Sequence, residues 1–213
     1  ANAYVHKATV DHPDRILGFG WADPNLGVGA AREEARRCLE DYGFYGVKLN
    51  GAQNSFAIDD PKLSLPVVEQ IAALGGRLAF HVGADAFENT HPFRVAAIAD
   101  RFPELDILVV HMGGVGHADL TKAAIEFARE RPKLTLIGSA VRDAAILNAI
   151  RTLGADRVCF GSDTPFALMH AQLAMYRALL SDFPEPDRRN VLGGNIARLF
   201  GLPDAADAGK EAR

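Results

Sequence analysis

Residues 106–114 read DILVVHMGG, a nearly unbroken apolar run that ends in a histidine, a methionine and two glycines. An apolar run of this length between helix-like segments is typical of a parallel β-strand that is covered on both faces. His111 falls where this strand gives way to a loop. The stretch therefore predicts a buried strand that carries a polar side chain at its carboxyl end.

Two other stretches repeat this design. Residues 77–83 (RLAFHVG) place His81 at the end of an apolar run, and residues 157–165 (RVCFGSDTP) do the same for Asp163. In a barrel of parallel strands all carboxyl ends open toward one mouth, so residues remote in sequence can meet there. We therefore expect His81, His111 and Asp163 to converge around one substrate or ion.

The chain as a whole alternates strand-like and helix-like segments, which predicts six βα units of an α/β fold. The ends of the predicted strands lie near Asp23, Asn50, Gly83, Gly113, Ala140 and Asp163. A closed (β/α)8 barrel needs eight such units and typically about 250 residues, so an open doubly wound sheet of six strands is the structural alternative. Against that alternative, no G-x-G-x-x-G opens any helix, and polar groups end several strands rather than one switch point.

Length, composition and charge favour some classes of protein and argue against others. With 213 residues and 48% hydrophobic content, the chain can bury its core as one domain, residues 1–213. A net charge of -4 argues against binding to nucleic acid. Cys38 and Cys159 show no C-x-x-C pairing, so we expect a reducing cytoplasm and no disulfide framework. We find neither an apolar run near the roughly 18 residues of a membrane span nor the layout of a secretory signal, and expect a soluble protein without a membrane partner.

Six stretches together carry a resemblance to a known family. In chain order they are HPDRILGFGWADPN (12–25), YGFYGVKLN (42–50), FHVG (80–83), ADRFPELDILVVHMGG (99–114), GSDTP (161–165) and GGNIARLFGL (193–202). Their order and spacing resemble the amidohydrolase superfamily, in particular its amidohydrolase-related branch of metal-dependent hydrolases and non-oxidative decarboxylases. The resemblance covers nearly the whole chain. It implies a (β/α)8 TIM-type barrel of which six of the eight units, strands three to eight, are present.

The resemblance also assigns roles to the strand-end residues. It implies that His81 and Asp163 are metal ligands, that Asp163 accepts a proton, and that His111 is catalytic. The family begins with a His-x-His pair on its first strand, and this sequence contains no such pair. The simplest expectation is an amino-terminally incomplete copy of a longer protein, and the alternative is a degenerate, metal-free relative.

Imidazole and carboxylate groups together suit a divalent ion, for which zinc is the first expectation and manganese or iron are alternatives. Water bound to such an ion yields hydroxide near neutral pH, so we expect a metal-dependent hydrolase acting on a small organic substrate. Asp163 would take the proton of this water, and His111 would orient it or stabilise developing negative charge. A non-oxidative decarboxylase of the same family is the first alternative.

Two basic residues are candidates for binding the substrate. Lys48 lies near the end of its strand, where we prefer a role in binding a substrate anion. A desolvated lysine could instead form a Schiff base, which would make the protein a lyase. Arg142 could pair with a substrate carboxylate. A non-catalytic barrel that has lost its metal site also stays open, and association into a homo-oligomer is a further expectation.

Overall fold

A computed structural model of the chain describes residues 1–203, and its centre is one sheet of six parallel strands. The strands are β1 (Gly20–Trp21), β2 (Gly46–Leu49), β3 (Arg77–His81), β4 (Ile107–Val110), β5 (Leu134–Gly138) and β6 (Val158–Phe160). They lie in the sheet in the same order as in the chain. An open doubly wound sheet would reverse its strand order at a switch point, so this order confirms six consecutive units of a (β/α)8 barrel.

Helices follow every strand and cover the sheet. They are α1 (Asn2–Asp11), α2 (Val28–Arg36), α3 (Leu65–Ala73), α4 (Phe87–Thr90), α5 (Pro92–Arg101), α6 (Ala118–Ala128), α7 (Asp143–Leu153), α8 (Met169–Leu179), α9 (Glu185–Arg189) and α10 (Asn195–Phe200). α5 shows how the sequence sets a helix: Pro92 occupies the first turn, where its missing N–H costs nothing, and Val95 and Ile98 face the core. The core lies between these apolar helix faces and strand residues such as Val109 and Leu136, which are fully buried.

Three local predictions were inaccurate. The first strand, expected over residues 16–21, is only two residues long, since only Gly20 and Trp21 pair with β2. Asp23 does not end that strand but caps a short 3-10 turn, accepting a hydrogen bond from the Asn25 backbone N–H. The sequence predicts Asn195 as the cap of the last helix, but Asn195 is the first residue of α10, and its buried amide donates to the carbonyls of Ala155 and Val158 at 2.7 and 2.8 Å. It therefore fastens α10 to the start of β6.

Because the resemblance implies that only strands three to eight are present, the two outermost strands of the sheet are expected to have unpaired outer edges. Within residues 1–203, β1 pairs only with β2 and β6 pairs only with β5, so each has an outer edge without a strand partner.

No helix in this part of the chain combines the length and the hydropathy that crossing a membrane requires. The sequence predicts a frayed end from its charged, alanine-rich composition, and this stretch falls on residues 204–213, outside the described residues.

Candidate active site

The two strand-end histidines lie against each other. His81 is the last residue of β3 and His111 directly follows β4, and these two strands are neighbours in the sheet. The ring centroids are 4.7 Å apart and the ring planes meet at 83°. The pattern of apolar strands ending in histidine therefore predicted a real juxtaposition.

His111 is held by the next strand along the sheet. Its Nδ1 atom lies 3.0 Å from the Ser139 carbonyl oxygen and 3.0 Å from the Ser139 hydroxyl oxygen, and both residues are buried. Because a carbonyl oxygen can only accept, Nδ1 carries the proton and Nε2 keeps its lone pair. Burial lowers the pKa of His111, so the imidazole is neutral near neutral pH. The structure thus presents a neutral, oriented histidine.

Asp163 completes a group of four side chains at the carboxyl end of the sheet. Burial lowers the pKa of Lys48, His81 and His111, and in all three cases the negative charge of Asp163 opposes that effect. All four residues lie at the carboxyl ends of parallel strands in one sheet, so these side chains share one region. We call Lys48, His81, His111 and Asp163 the strand-end cluster. Sequence reasoning expected all four near the mouth of the barrel.

The backbone around this cluster is strained. His111, Met112, Ala140 and Asp163 have φ values of 65°, 49°, 55° and 57°, in the left-handed region that residues other than glycine rarely adopt. Such strain persists only where the surrounding structure holds it, and it concentrates at active sites. The turns that aim these residues are therefore fixed by their neighbours.

The sequence analysis assigned no role to two residues that form hydrogen bonds with the histidines. Asp85 lies on the exposed loop after β3 and its Oδ1 is 2.8 Å from His81 Nε2. Ser139 lies at the end of a predicted strand, which makes it only a weak site candidate in the sequence, and it is the residue that orients His111. In each case the available signal was a polar residue within a few positions of a strand end, which is too common to single out a residue.

Arg142 lies apart from the strand-end cluster. It is exposed at the start of α7 and lines a cavity of about 250 Å³ between α6 and α7, together with His117 and Lys122. The cavity lining includes none of the four cluster residues. A role for Arg142 in binding substrate stays a prediction.

The strand-end cluster contains the types of ligand that a metal site needs, but too few of them. The His81 imidazole and the Asp163 carboxylate are groups that zinc and manganese both accept. Among residues 1–203, no group of three or more histidine, cysteine, aspartate or glutamate side chains is arranged to hold an ion. A catalytic zinc site takes three protein ligands, so the described residues supply only part of such a site.

A parallel barrel with basic, imidazole and carboxylate groups at the carboxyl ends of its strands defines a class of enzyme scaffold. The sequence matches the family model described as amidohydrolase over residues 1–202. Because this match includes nearly the whole chain, the protein belongs to the amidohydrolase family, as the resemblance implied.

Comparison with individual relatives narrows the type of reaction within this family. The chain is 25% identical to 2-amino-3-carboxymuconate-6-semialdehyde decarboxylase of Dictyostelium discoideum, over 94% of this chain and 65% of that protein. It thus spans somewhat less than two thirds of the length of that relative. The solved structure of 5-carboxyvanillate decarboxylase from Sphingomonas paucimobilis is 25% identical, with a TM-score of 0.75 over 95% of this chain and 72% of that one.

A third structure shares the fold at lower identity. Dihydroxybenzoic acid decarboxylase from Polaromonas sp. JS666 is 22% identical, with a TM-score of 0.74 over 97% of this chain and 75% of that one. It contains bound manganese and the inhibitor 2-nitroresorcinol. Manganese, not zinc, is therefore the ion seen in this relative.

These findings correct the expected activity. All three relatives are decarboxylases, and none is a hydrolase. The prediction of a hydrolase was wrong, and the decarboxylase alternative fits the relatives. Both activities are consistent with histidine and aspartate at strand ends, so these residues alone favoured neither.

Proposed function

We propose that this protein is a non-oxidative decarboxylase that removes carbon dioxide from a small aromatic or conjugated carboxylate. The observation that carries the proposal is the strand-end cluster, which combines one ammonium, two imidazoles and one carboxylate at the mouth of a decarboxylase-type barrel. Decarboxylation needs a cation to bind the substrate and a group that delivers a proton to carbon. The cluster offers both.

Lys48 supplies the cation. Its side chain is partly buried, and burial lowers its pKa while Asp163 raises it. In such surroundings an ammonium attracts a carboxylate more strongly than it does in water, because the local dielectric constant is lower. Lys48 would therefore bind the substrate anion and orient it over the two histidines.

His111 supplies the proton transfer. The neutral Nε2 atom would accept a proton from a substrate hydroxyl and return it to the carbon that bears the carboxylate. Carbon dioxide then departs from the protonated carbon, and the electron pair of the carbon–carboxylate bond returns to the conjugated system. The hydroxyl proton has become the new C–H bond, and the hydroxyl is left as its anion, which takes up one proton from water, so the reaction balances without an oxidant.

A divalent ion belongs to the same proposal. When bound, it would supply positive charge to the substrate oxygens. His81 and Asp163 are the residues of this chain that would hold it, and His81 would do so through Nε2 only after releasing Asp85. The manganese in the Polaromonas relative makes manganese our expectation in place of zinc.

The activity is tested by incubating the purified chain with manganese and either 2,6-dihydroxybenzoate or 5-carboxyvanillate. We expect carbon dioxide and the matching decarboxylated phenol in equal amounts, measured by gas release and by liquid chromatography. Absence of both products from both substrates would contradict the proposal and favour a non-catalytic barrel. Trapping of a carbonyl substrate on Lys48 by borohydride, without metal, would favour a Schiff-base lyase.

Replacement of Lys48 by methionine tests the anion-binding role. Because a hydrogen bond to a charged group contributes about 1.5–3 kcal/mol, Lys48→Met is expected to lower kcat/KM by about 10- to 150-fold. The loss should appear mainly as a higher KM. Lys62→Met, which removes an exposed lysine from the loop before α3, should leave both constants unchanged. An unchanged KM in Lys48→Met would remove Lys48 from the binding site.

A further inference from the structure

We propose that Trp21 is a positioning residue for Lys48. Its indole ring holds the lysine ammonium at the mouth of the barrel, and Asn54 and Asp23 hold the ring. The effect of Trp21 on turnover rests on the proposed function. The contact between the Trp21 ring and the Lys48 ammonium does not depend on it.

The sheet brings Trp21 and Lys48 together. β1 and β2 are parallel neighbours, and Trp21 is the register partner of Lys48. The ammonium nitrogen of Lys48 lies 5.6 Å from the centre of the indole ring. This distance is within the range of about 6 Å over which the negative face of an aromatic ring attracts a cation, and tryptophan is the best such ring.

The ring itself is fixed by a short relay of hydrogen bonds. Trp21 Nε1 donates to Asn54 Oδ1 at 3.1 Å, and Asn54 Nδ2 donates to Asp23 Oδ2 at 2.8 Å. The other Asp23 oxygen accepts from the Asn25 backbone at 3.0 Å. The indole plane therefore cannot rotate without breaking a bond to a loop that is itself anchored.

The backbone of Trp21 is fixed as well. The Asn2 side chain accepts from the Trp21 N–H at 3.0 Å and donates to the Trp21 carbonyl at 2.8 Å. These two bonds tie β1 to α1. Trp21 is only partly buried and is not part of the apolar core, so its ring is not held in place by core packing alone.

Holding the ammonium matters because a lysine side chain is flexible. Its four-carbon stem lets the charge swing through several ångströms. The ring favours those conformers in which the ammonium stays beside Asp163 and the histidines, where the substrate carboxylate would bind. Trp21 thus acts on the substrate through Lys48.

Fluorescence gives a direct test that needs no ligand. Trp21 is the one tryptophan of the chain, so the emission spectrum reports on this ring alone. We expect Lys48→Met to change the position or intensity of the emission maximum, whereas the exposed control Lys62→Met leaves it unchanged. Identical spectra for Lys48→Met and Lys62→Met in folded protein would overturn the proposal.

Kinetic measurements then distinguish a role of Trp21 in positioning Lys48 from a role in packing alone. A cation–π contact at a partly exposed site corresponds to about a 2- to 10-fold effect, so Trp21→Leu is expected to raise KM by that factor, while Trp21→Phe restores most of it. In a Lys48→Met background, Trp21→Leu should add nothing to KM. A further increase in the double variant would show that Trp21 acts independently of Lys48 and would overturn the proposal.

If the wild-type chain decarboxylates nothing, the proposed function fails while the fluorescence comparison still decides the role of Trp21.

Discussion

His111→Ala is expected to lower the turnover number for decarboxylation by about 10²- to 10⁴-fold while the protein stays folded. This loss corresponds to about 3–5 kcal/mol of transition-state stabilisation. The reason is geometric: Ser139 fixes the Nδ1 side of the ring, which leaves Nε2 as the nitrogen that can exchange a proton. Alanine removes that atom, and the second imidazole of the cluster, His81, has its own Nε2 bonded to Asp85. Turnover is measured by carbon dioxide release, and the fold by circular dichroism.

Two further variants make this result specific. His170→Ala removes an exposed histidine from α8 and should leave turnover unchanged. Ser139→Ala removes the hydroxyl but keeps the backbone carbonyl that accepts from Nδ1, so its effect should be far smaller than that of His111→Ala. A His111→Ala protein that turns over at the wild-type rate would exclude His111 from the chemistry.

Metal content distinguishes proton transfer from ligation. His81→Ala should lower both bound manganese and turnover, whereas His111→Ala should retain its manganese. If His111→Ala loses its metal as completely as His81→Ala, then His111 is a ligand. A binuclear site would then become the better model, and a carboxylated Lys48 would be the candidate for its bridging ligand.

The fold and the strand ends could be predicted because they depend on short, repeated patterns. Apolar runs bounded by glycine and proline mark buried strands, and parallel strands force their carboxyl ends to one side. This reasoning placed His81, His111 and Asp163 together although up to 82 positions separate them along the printed sequence. Their convergence follows from topology and needs no knowledge of side-chain conformation.

The contacts within the site depend on details that such patterns do not encode. The pairing of Trp21 with Lys48 follows from the register of β1 on β2, and β1 is only two residues long. A shift of one residue would turn the indole to the other face of the sheet. His111, which contacts Ser139, has left-handed backbone, for which glycine would be the expected residue. Neither the register of β1 nor this backbone conformation leaves a recognisable mark in the sequence.

The loops that follow β3 and β4 meet at Gly83, which makes this glycine the most sensitive backbone position near the site. Its N–H donates to the Thr90 carbonyl at 3.0 Å and its carbonyl accepts from the Val115 N–H at 3.1 Å. A Cβ atom added here would lie 1.9 Å from the Gly113 carbonyl oxygen. That distance is far below van der Waals contact, and the atom it meets is backbone that cannot rotate away.

Gly83→Ala is therefore expected to lower the free energy of unfolding by about 2–5 kcal/mol. A φ of +64° costs an alanine about 1–2 kcal/mol, and the overlap with Gly113 adds about 1–3 kcal/mol. Gly43 supplies a matched control, since it has the same φ of +64° but no atom within 4 Å of an added Cβ. Gly43→Ala should thus show the backbone cost alone in urea denaturation. Equal losses for the two variants would mean that the loops after β3 and β4 can separate freely, and the close contact at Gly83 would then have no part in holding the His81 and His111 rings together.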